Sequence, residues 1–406
     1  MTMAVPKRGH RTATPEASDN ASDIEFMATG HVSPRGSLHT KKDKLTYTEM
    51  MRVNMRLAED RVLSFVSVFS TGYGTKWETQ ATFFYQPEVR WQTLLTQRRR
   101  WLNGTFASYL YFFFSPRARH RIHGGMFDNH KLGKNMRFVD TLWFLQLWQV
   151  MLVLVAPAVF ASTSTLALAK CAKFLPNIFN WSLNEVSYGY SGADVWLMSF
   201  FVIYVVWIIM SYFAPRGVMP EIVCVLYSFA GIFLTIPIYI AVWGNVVLDG
   251  FTTLSGIAIF AVFIVPAMIS FLHSIKASLF FICYLPWYVT FLGFFLVFLP
   301  GYSFARLWDT TWGNRTTGID ESLNESSEFQ LKNVTVAINV GLIIVNIAMT
   351  IALVNLFLLG DKAQLITLII LFIPLLVQLL AAAFFFLVII PLRSLFARPP
   401  PPLPRQ

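Results

Sequence analysis

Seven long apolar runs constrain most strongly what this chain can fold into. Each run is close to the ~20 residues that a helix needs to cross the hydrocarbon core of a bilayer. Hydrophobic residues make up 55% of the chain and charged residues only 13%, well below the usual share in soluble domains. The sequence therefore predicts a mainly α, polytopic membrane helix bundle. The runs cover residues 138–160, 195–213, 222–243, 252–272, 276–299, 334–359 and 364–390.

The segments around these runs differ in composition, and they suggest five regions. Residues 1–45 are rich in Ser, Thr, Gly, Lys and Arg and have no apolar period, which is typical of a disordered tail. Residues 46–92 combine a helical pattern with an alternating, aromatic stretch at 77–86, which predicts a small α/β segment. We expect interfacial amphipathic helices over 93–137, a bundle of six to seven spans over 138–391 and a Pro-rich tail over 392–406.

The basic residues between 115 and 137 predict the orientation of the chain. Arginines and lysines greatly outnumber acids there, so the positive-inside rule places this segment in the cytoplasm. Counting spans from it puts loops 161–194 and 300–333 outside, and both carry N-x-S/T sequons. Seven spans would also leave the basic C-terminal tail outside. One run is therefore expected to be re-entrant or interfacial, and 252–272 is the candidate because Gly and Pro interrupt it. The sequons are at Asn180, Asn314, Asn324 and Asn333.

The stretch Gln97-Arg98-Arg99-Arg100-Trp101 is the main candidate for chemistry. Apolar residues recur around it at helical spacing, from Leu94 to Phe113, so a helix is predicted. One interpretation is a membrane-surface anchor, in which the arginines meet lipid phosphates. The other is a ligand site, in which guanidinium groups pair with a diphosphate and the indole stacks on a sugar. At most two of the three arginines can face one ligand, because neighbours on a helix point about 100° apart.

Three motifs in this order resemble those of chitin synthases, which are processive family-two membrane glycosyltransferases. The strings are "NMRLAEDRVL" with the acidic pair Glu59-Asp60, "QRRRWLNGTF", and "YSFARLWDTTWGNR" far downstream. QRRRW alone would also fit cellulose and hyaluronan synthases. The resemblance covers roughly residues 50–395, and it identifies the α/β segment as a partial glycosyltransferase remnant.

The resemblance implies an activity and its participants. The enzyme would transfer N-acetylglucosamine from UDP-N-acetylglucosamine to a growing β-1,4 chitin chain and extrude the product across the plasma membrane. It implies Mg²⁺ or Mn²⁺ as cofactor, although no ligand set for a metal is visible in this chain, and it implies a homodimer. The net charge of +10 fits attraction to an anionic leaflet and a nucleotide-sugar, and no nucleic-acid-binding motif is present.

The resemblance also assigns roles to residues. Asp60 is expected to be the base on the acceptor hydroxyl, with Glu59 as the competing assignment, although the pair could simply be solvated beside Arg61. Residues Gln97 to Trp101 would bind substrate, with Trp101 under the acceptor sugar. The downstream motif would line the exit of a channel, or its tryptophans would be interfacial anchors. The residues expected in this exit loop are Trp308, Trp312, Gly313, Asn314 and Arg315.

The chain departs from the family pattern in one respect. A complete chitin synthase carries donor-binding aspartates upstream of the acidic pair, and residues 1–45 contain nothing similar. We therefore expect either a fragment or a natural short form. The alternatives are another polysaccharide synthase and a non-catalytic membrane subunit or channel module derived from one. A transporter fits poorly, because no paired repeats are visible and few ionisable residues interrupt the spans.

Overall fold

A computed structural model describes the central part of the chain. Nearly all of its described residues are helical and none is in a strand, so the prediction of a mainly α helix bundle is confirmed. Asn54 and Met55 are helical, whereas the strand predicted at 77–86 lies outside the described residues. The structure describes residues 54–55, 90–114, 136–174, 192–215, 219–244, 264–272, 274–309, 325–358, 373, 376–384, 387–388 and 391.

Most of the helices are long enough to cross a bilayer. In the described part of the chain, four contain an apolar stretch of sufficient length, namely α2, α3, α4 and α7, and the bent pair of α5 and α6 would be a fifth. The helices are α1 Trp91–Phe114, α2 Met136–Phe174, α3 Gly192–Phe213, α4 Glu221–Gly244, α5 Ile275–Thr290, a π-helical turn Phe294–Phe298 that continues into α6 Leu299–Ala305, and α7 Glu325–Leu358.

The predicted apolar runs correspond to these helices with one main difference. The runs 195–213, 222–243 and 334–359 are α3, α4 and α7, and 138–160 is the first half of the longer α2. The run 276–299 is not one straight helix, because it bends by 68° between α5 and the π-helical turn. Runs 252–272 and 364–390 are only partly described, so the total of six to seven spans stays a prediction.

The outer surfaces of the long helices are apolar. Large side chains such as Val202 on α3, Phe233 on α4 and Ile344 on α7 are each about 60% exposed. In water such continuous apolar faces would be strongly unfavourable, whereas in a bilayer they face lipid tails. The exposure pattern therefore supports a lipid bilayer as the environment of these helices.

Helices α2 and α3 form an antiparallel hairpin. The rings of Phe160 and Phe200 stack with centroids 6.3 Å apart, and Trp196 donates from Nε1 to the hydroxyl of Ser164 at 3.2 Å. Residue numbers therefore rise along α2 as they fall along α3. The start of α2 and the end of α3 lie at the same end of the hairpin.

The bend after α5 packs closely against α4. A Cβ added at Gly231 would lie 2.6 Å from the backbone nitrogen of Phe294, and one added at Gly293 would lie 2.5 Å from the carbonyl oxygen of Gly231. The two backbones can approach this closely only because neither position has a side chain. On the other side, Trp207 of α3 donates its indole N–H to the carbonyl of Phe298 at 2.6 Å. The segment that leads into α6 is thus held between α3 and α4.

The chain divides into two compact units. One contains residues 1–86, 100–140 and 323–331, and the other contains residues 87–99, 141–322 and 332–406. The first unit includes the buried residues Asn103 and Leu110 on the second part of α1. The second unit includes the spans and the first part of α1, up to Arg99.

Candidate functional site

The QRRRW stretch lies on α1, as the sequence predicted. Gln97 and Trp101 are partly buried, and Arg98 is exposed. In contrast, Arg99 is completely buried and Arg100 is 8% exposed. Burial of a guanidinium is very unfavourable unless a carboxylate or several carbonyls compensate it. The three arginines of the motif therefore lie in three different environments.

Arg99 forms a buried ion pair with Asp309. The Nη1 of Arg99 contacts the Oδ2 of Asp309, and both side chains are inaccessible to solvent. Removing one partner of such a pair typically costs about 3–5 kcal/mol, because the other charge stays buried. The anchor interpretation, in which this arginine meets lipid phosphate, is therefore wrong for Arg99.

Arg306 binds the same carboxylate oxygen. It donates to Oδ2 of Asp309 from Nε at 3.0 Å and from Nη2 at 2.8 Å. Its Nη1 also donates to the carbonyl of Ala214 at 3.0 Å, and its Nη2 to that of Pro215 at 3.0 Å. A longer bond of 3.3 Å reaches the carbonyl of Ser211. Arg306 thus binds both Asp309 and the carboxyl end of α3.

The carbonyls that bind Arg306 explain how two cations and one anion can be buried together. The last carbonyls of a helix lack intrahelical partners and carry partial negative charge from the helix dipole. Those at the end of α3 point to the guanidinium of Arg306 and offset the excess positive charge. Asp309 is therefore shared by Arg99 and Arg306, and we call these three residues the Asp309 cluster.

Helix α1 has a second contact two turns before Arg99. The indole of Trp91 packs edge-on against Phe294 with ring centroids 5.0 Å apart, and it also contacts Phe291 at 6.2 Å. The first part of α1 is thus attached at Trp91 to the bend and at Arg99 to Asp309. Two contacts about 12 Å apart fix both the position and the rotation of this first part of the helix.

Trp308 is packed between cations. Its side chain is 5% exposed, the guanidinium carbon of Arg306 lies 5.4 Å from its ring centre, and Nζ of Lys332 lies 4.7 Å from it. Cations above an indole ring are attracted by its negative face, more strongly where water is excluded. We expected this ring to line a channel exit or to act as an interfacial anchor. The ring is also part of the packing around the Asp309 cluster, and its role at a channel exit or as an anchor stays a prediction.

The Asp309 cluster also places this segment beside the carboxyl end of α3. Helix α3 ends and α4 begins at one membrane face, which we call the junction face. The bonds from Arg306 to residues 211, 214 and 215 place α6 and Asp309 at that same face. By our span count the junction face is cytoplasmic and residues 300–333 are external. The span count and these contacts disagree for residues 306–309, and the side on which the segment lies stays a prediction.

The number of crossings and the side of the C-terminal tail stay predictions, because runs 252–272 and 364–390 are only partly described. Among the described residues of run 364–390, the amide of Gln378 donates to the side-chain oxygen of Gln149 at 2.7 Å, near the start of the apolar stretch of α2.

Several predicted site residues lie outside the described part of the chain. Among the residues that the structure describes, no group of three His, Cys, Asp or Glu side chains could hold a metal ion. The described side chains therefore provide no fit for Mg²⁺ or Mn²⁺. The predicted residues outside the description are Glu59, Asp60, Trp312, Gly313, Asn314 and Arg315.

The structure adds two residues to the site that had no role in the sequence analysis. Arg306 and Asp309 are ionisable residues directly after an apolar run, and such residues are often buried in pairs. Their spacing of three would also place both on one side of a helical turn. That signal could have indicated a buried pair, but not its partner Arg99, which lies more than two hundred residues away.

The chain is similar to chitin synthases over part of its length. Residues 33–115 match the family model for a chitin synthase-like glycosyltransferase domain. Over 320 residues the chain is 25% identical to chitin synthase 1 of Mycosarcoma maydis. The aligned region covers 70% of this chain and 32% of the relative. The chain thus spans about a third of that relative's length. The matched range includes Glu59, Asp60 and the QRRRW stretch, and it begins within the predicted disordered tail.

Proposed function

We propose that the chain is the membrane part of a chitin synthase-type glycosyltransferase. The observation that carries the proposal is the family match over residues 33–115, which contains both Asp60 and the arginine-rich part of α1. The apolar helices that follow support a membrane location. The proposal includes UDP-N-acetylglucosamine as the donor, β-1,4 chitin as the product and export of the product through the bundle. It also includes location in the plasma membrane and assembly as a homodimer.

The proposed reaction needs a base and a group that stabilises the departing diphosphate. The acceptor 4-hydroxyl attacks C1 of the donor sugar, its proton passes to Asp60, and the bond from C1 to the diphosphate breaks. Glu59 is the alternative base. Negative charge grows on the leaving UDP, and preorganised arginines stabilise such charge well. Trp101, which is partly buried, would support the acceptor sugar with its flat apolar face.

The cofactor belongs to the proposal as well. Family resemblance suggests Mg²⁺ or Mn²⁺ at the diphosphate, where a divalent ion would neutralise charge on the leaving group. We assign none of the described residues to it, and no step above depends on it.

The alternative is a non-catalytic membrane subunit or channel module derived from such a synthase. Under this alternative the donor would be bound by another chain. Under this alternative the Asp309 cluster and the spans would be retained for structure, and Asp60 would have no measurable role. An activity assay on this chain alone separates the two proposals.

The test is incorporation of labelled N-acetylglucosamine into chitinase-sensitive polymer by membranes that contain this chain. We expect Asp60→Asn and Trp101→Ala each to abolish incorporation while the chain still inserts. Matched controls are Asp194→Asn, an exposed acid at the start of α3, and Trp287→Ala, an indole that is 67% exposed on α5. Both controls should remain active. Full activity of Trp101→Ala would exclude the acceptor role, and a mild effect of Asp60→Asn would shift the base to Glu59.

A further inference from the structure

We propose that the side chain of Arg90 lies in the wall of a water-filled recess that reaches the middle of the membrane, and that this recess is part of the path of the polymer. The recess follows from the depth and the exposure of Arg90. Its occupant rests on the proposed function, because the occupant is a sugar polymer. In this assignment α1 begins inside the membrane rather than at its surface, where we expected an interfacial helix.

The first part of α1 starts near the middle of the membrane. Gly231 is the eleventh of the 19 residues in the apolar stretch Glu221–Tyr239 of α4, so it lies close to mid-depth. A Cβ at Gly231 would lie 2.6 Å from the backbone nitrogen of Phe294, and Trp91 packs on the ring of Phe294 with centroids 5.0 Å apart. Trp91 and its neighbour Arg90 are therefore at about the depth of Gly231.

The other end of this part of α1 lies near the junction face. Arg99 pairs with Asp309, and Arg306 attaches Asp309 to carbonyls at the carboxyl end of α3. The interval of eight residues from Trp91 to Arg99 extends about 12 Å along the helix, close to the ~15 Å between the middle of a bilayer core and its edge. Residues 91–99 therefore extend through about half of the membrane.

Arg90 is exposed at this depth. Both membrane faces are about 15 Å away, which is further than an arginine side chain extends, so its guanidinium does not reach the headgroups. An arginine that faces lipid at the centre of a bilayer is strongly unfavourable, and ionisable residues at that depth face a counter-ion or a water-filled cavity. Among the residues that the structure describes, no carboxylate pairs with Arg90. Its guanidinium therefore faces water.

A hydrated recess beside α1 fits a polysaccharide as its occupant. The hydroxyl and amide groups of each sugar would lose their hydrogen bonds in lipid, whereas water and a polar wall keep them satisfied. Arginine has five N–H donors and no acceptor, so Arg90 can donate to sugar hydroxyls and acetamide carbonyls. Gln97, which the proposed function assigns to substrate, lies about 10 Å further along the same helix. The recess thus lies beside the helix that carries a proposed sugar contact.

Reaction of an introduced cysteine with a charged, water-soluble methanethiosulfonate tests whether the recess contains water. Arg90→Cys is made in the full chain after Cys171, Cys224 and Cys283 are replaced by alanine. Val202→Cys is the matched control, because Val202 is exposed and is the ninth of 20 residues in the apolar stretch of α3, and so faces lipid at a similar depth. We expect Arg90→Cys to react about 100-fold faster than Val202→Cys, because a thiolate forms in water but not in lipid. Equal rates would overturn the recess.

The melting temperature of Arg90→Leu in lipid nanodiscs is a second measurement, which needs no labelling. If Arg90 faced lipid, leucine would remove an unfavourable charge and the melting temperature would rise clearly. Because the side chain faces water, we expect a melting temperature within about 2 °C of wild type. A clear rise would overturn the recess even if Arg90→Cys did not fold.

Occupation by the polymer is tested by adding UDP-N-acetylglucosamine to the same membranes. While chitinase-sensitive polymer accumulates, we expect the reaction of Arg90→Cys to slow about tenfold, because the polymer restricts access to the thiol. An unchanged rate during synthesis would overturn the path assignment, and so would an equal slowing by UDP alone. Absence of polymer from the wild-type chain would instead contradict the proposed function, whereas the comparison of Arg90→Cys with Val202→Cys would still decide whether the recess exists.

Discussion

Replacing Asn346 of α7 with leucine would remove a polar bridge between two membrane spans. The amide of Asn346 donates to the carbonyl of Leu154 at 2.9 Å, and its oxygen accepts from the backbone N–H of Ala158 at 2.9 Å. Both partners lie beside Pro157, which lacks an N–H and weakens the local helical bonding of α2. The asparagine therefore binds two backbone groups of α2 within one turn of Pro157.

The expected magnitude follows from these two bonds. Hydrogen bonds between membrane helices are worth about 0.6–2 kcal/mol each, so Asn346→Leu should destabilise the chain by roughly 1–4 kcal/mol. At about 2–4 °C per kcal/mol, the melting temperature in detergent should fall by roughly 2–16 °C. Asn355→Leu on the same helix is the matched control, because Asn355 is exposed and its amide bonds to the carbonyl of Ile351 in its own helix. We expect this control to be neutral.

The two variants are compared by their melting temperatures in detergent. Thermal unfolding is followed by size-exclusion chromatography of the heated, solubilised chain. We expect Asn346→Leu to melt clearly below Asn355→Leu. Equal melting temperatures would refute it, since they would mean that the bridge at Pro157 contributes nothing beyond an ordinary asparagine on a lipid-facing helix.

Two further predictions concern membrane sidedness and backbone contact. In a glycosylating host, Asn180→Gln should abolish the change in gel mobility on endoglycosidase treatment, whereas Asn314→Gln and Asn324→Gln should not. The latter two sequons follow Asp309, which lies beside the end of α3 on the side that the span count makes cytoplasmic. Modification at Asn314 would contradict this. Gly231→Ala should lower the melting temperature, because its Cβ would lie 2.6 Å from the backbone of Phe294, whereas Gly341→Ala meets nothing within 4 Å and should be neutral or stabilising. A greater loss for Gly341→Ala than for Gly231→Ala would disprove the close contact of α4 with the bend.

Hydrophobic patterning predicted the long helices well. Runs of apolar residues near 20 in length leave few alternatives to a spanning helix, and α3, α4 and α7 begin and end within a few residues of the predicted runs, except for the earlier start of α7. Patterning did not predict the bend after α5. The bend depends on a contact between Gly231 and Gly293, and no local sequence signal connects two glycines on different helices.

The position of the Asp309 segment beside the end of α3 could not be predicted for a related reason. Hydropathy identifies apolar runs but does not indicate which of their ends lie together in the fold. The contacts of Arg306 with the end of α3 show this position. Similarly, the QRRRW helix was predictable from periodicity, but the separation of Arg99 from Arg98 and Arg100 required the position of Asp309.

The most direct test of the central proposal compares three donors on membranes that contain only this chain. Labelled UDP-N-acetylglucosamine, UDP-glucose and UDP-glucuronate would be supplied in parallel, with the Asp60→Asn chain as the blank. The proposal predicts insoluble, chitinase-sensitive polymer from UDP-N-acetylglucosamine alone, and none from the Asp60→Asn chain. Incorporation from another donor would contradict the chitin synthase-type assignment. No incorporation from any donor, by a chain that is inserted and folded, would contradict catalysis by this chain and favour the accessory module.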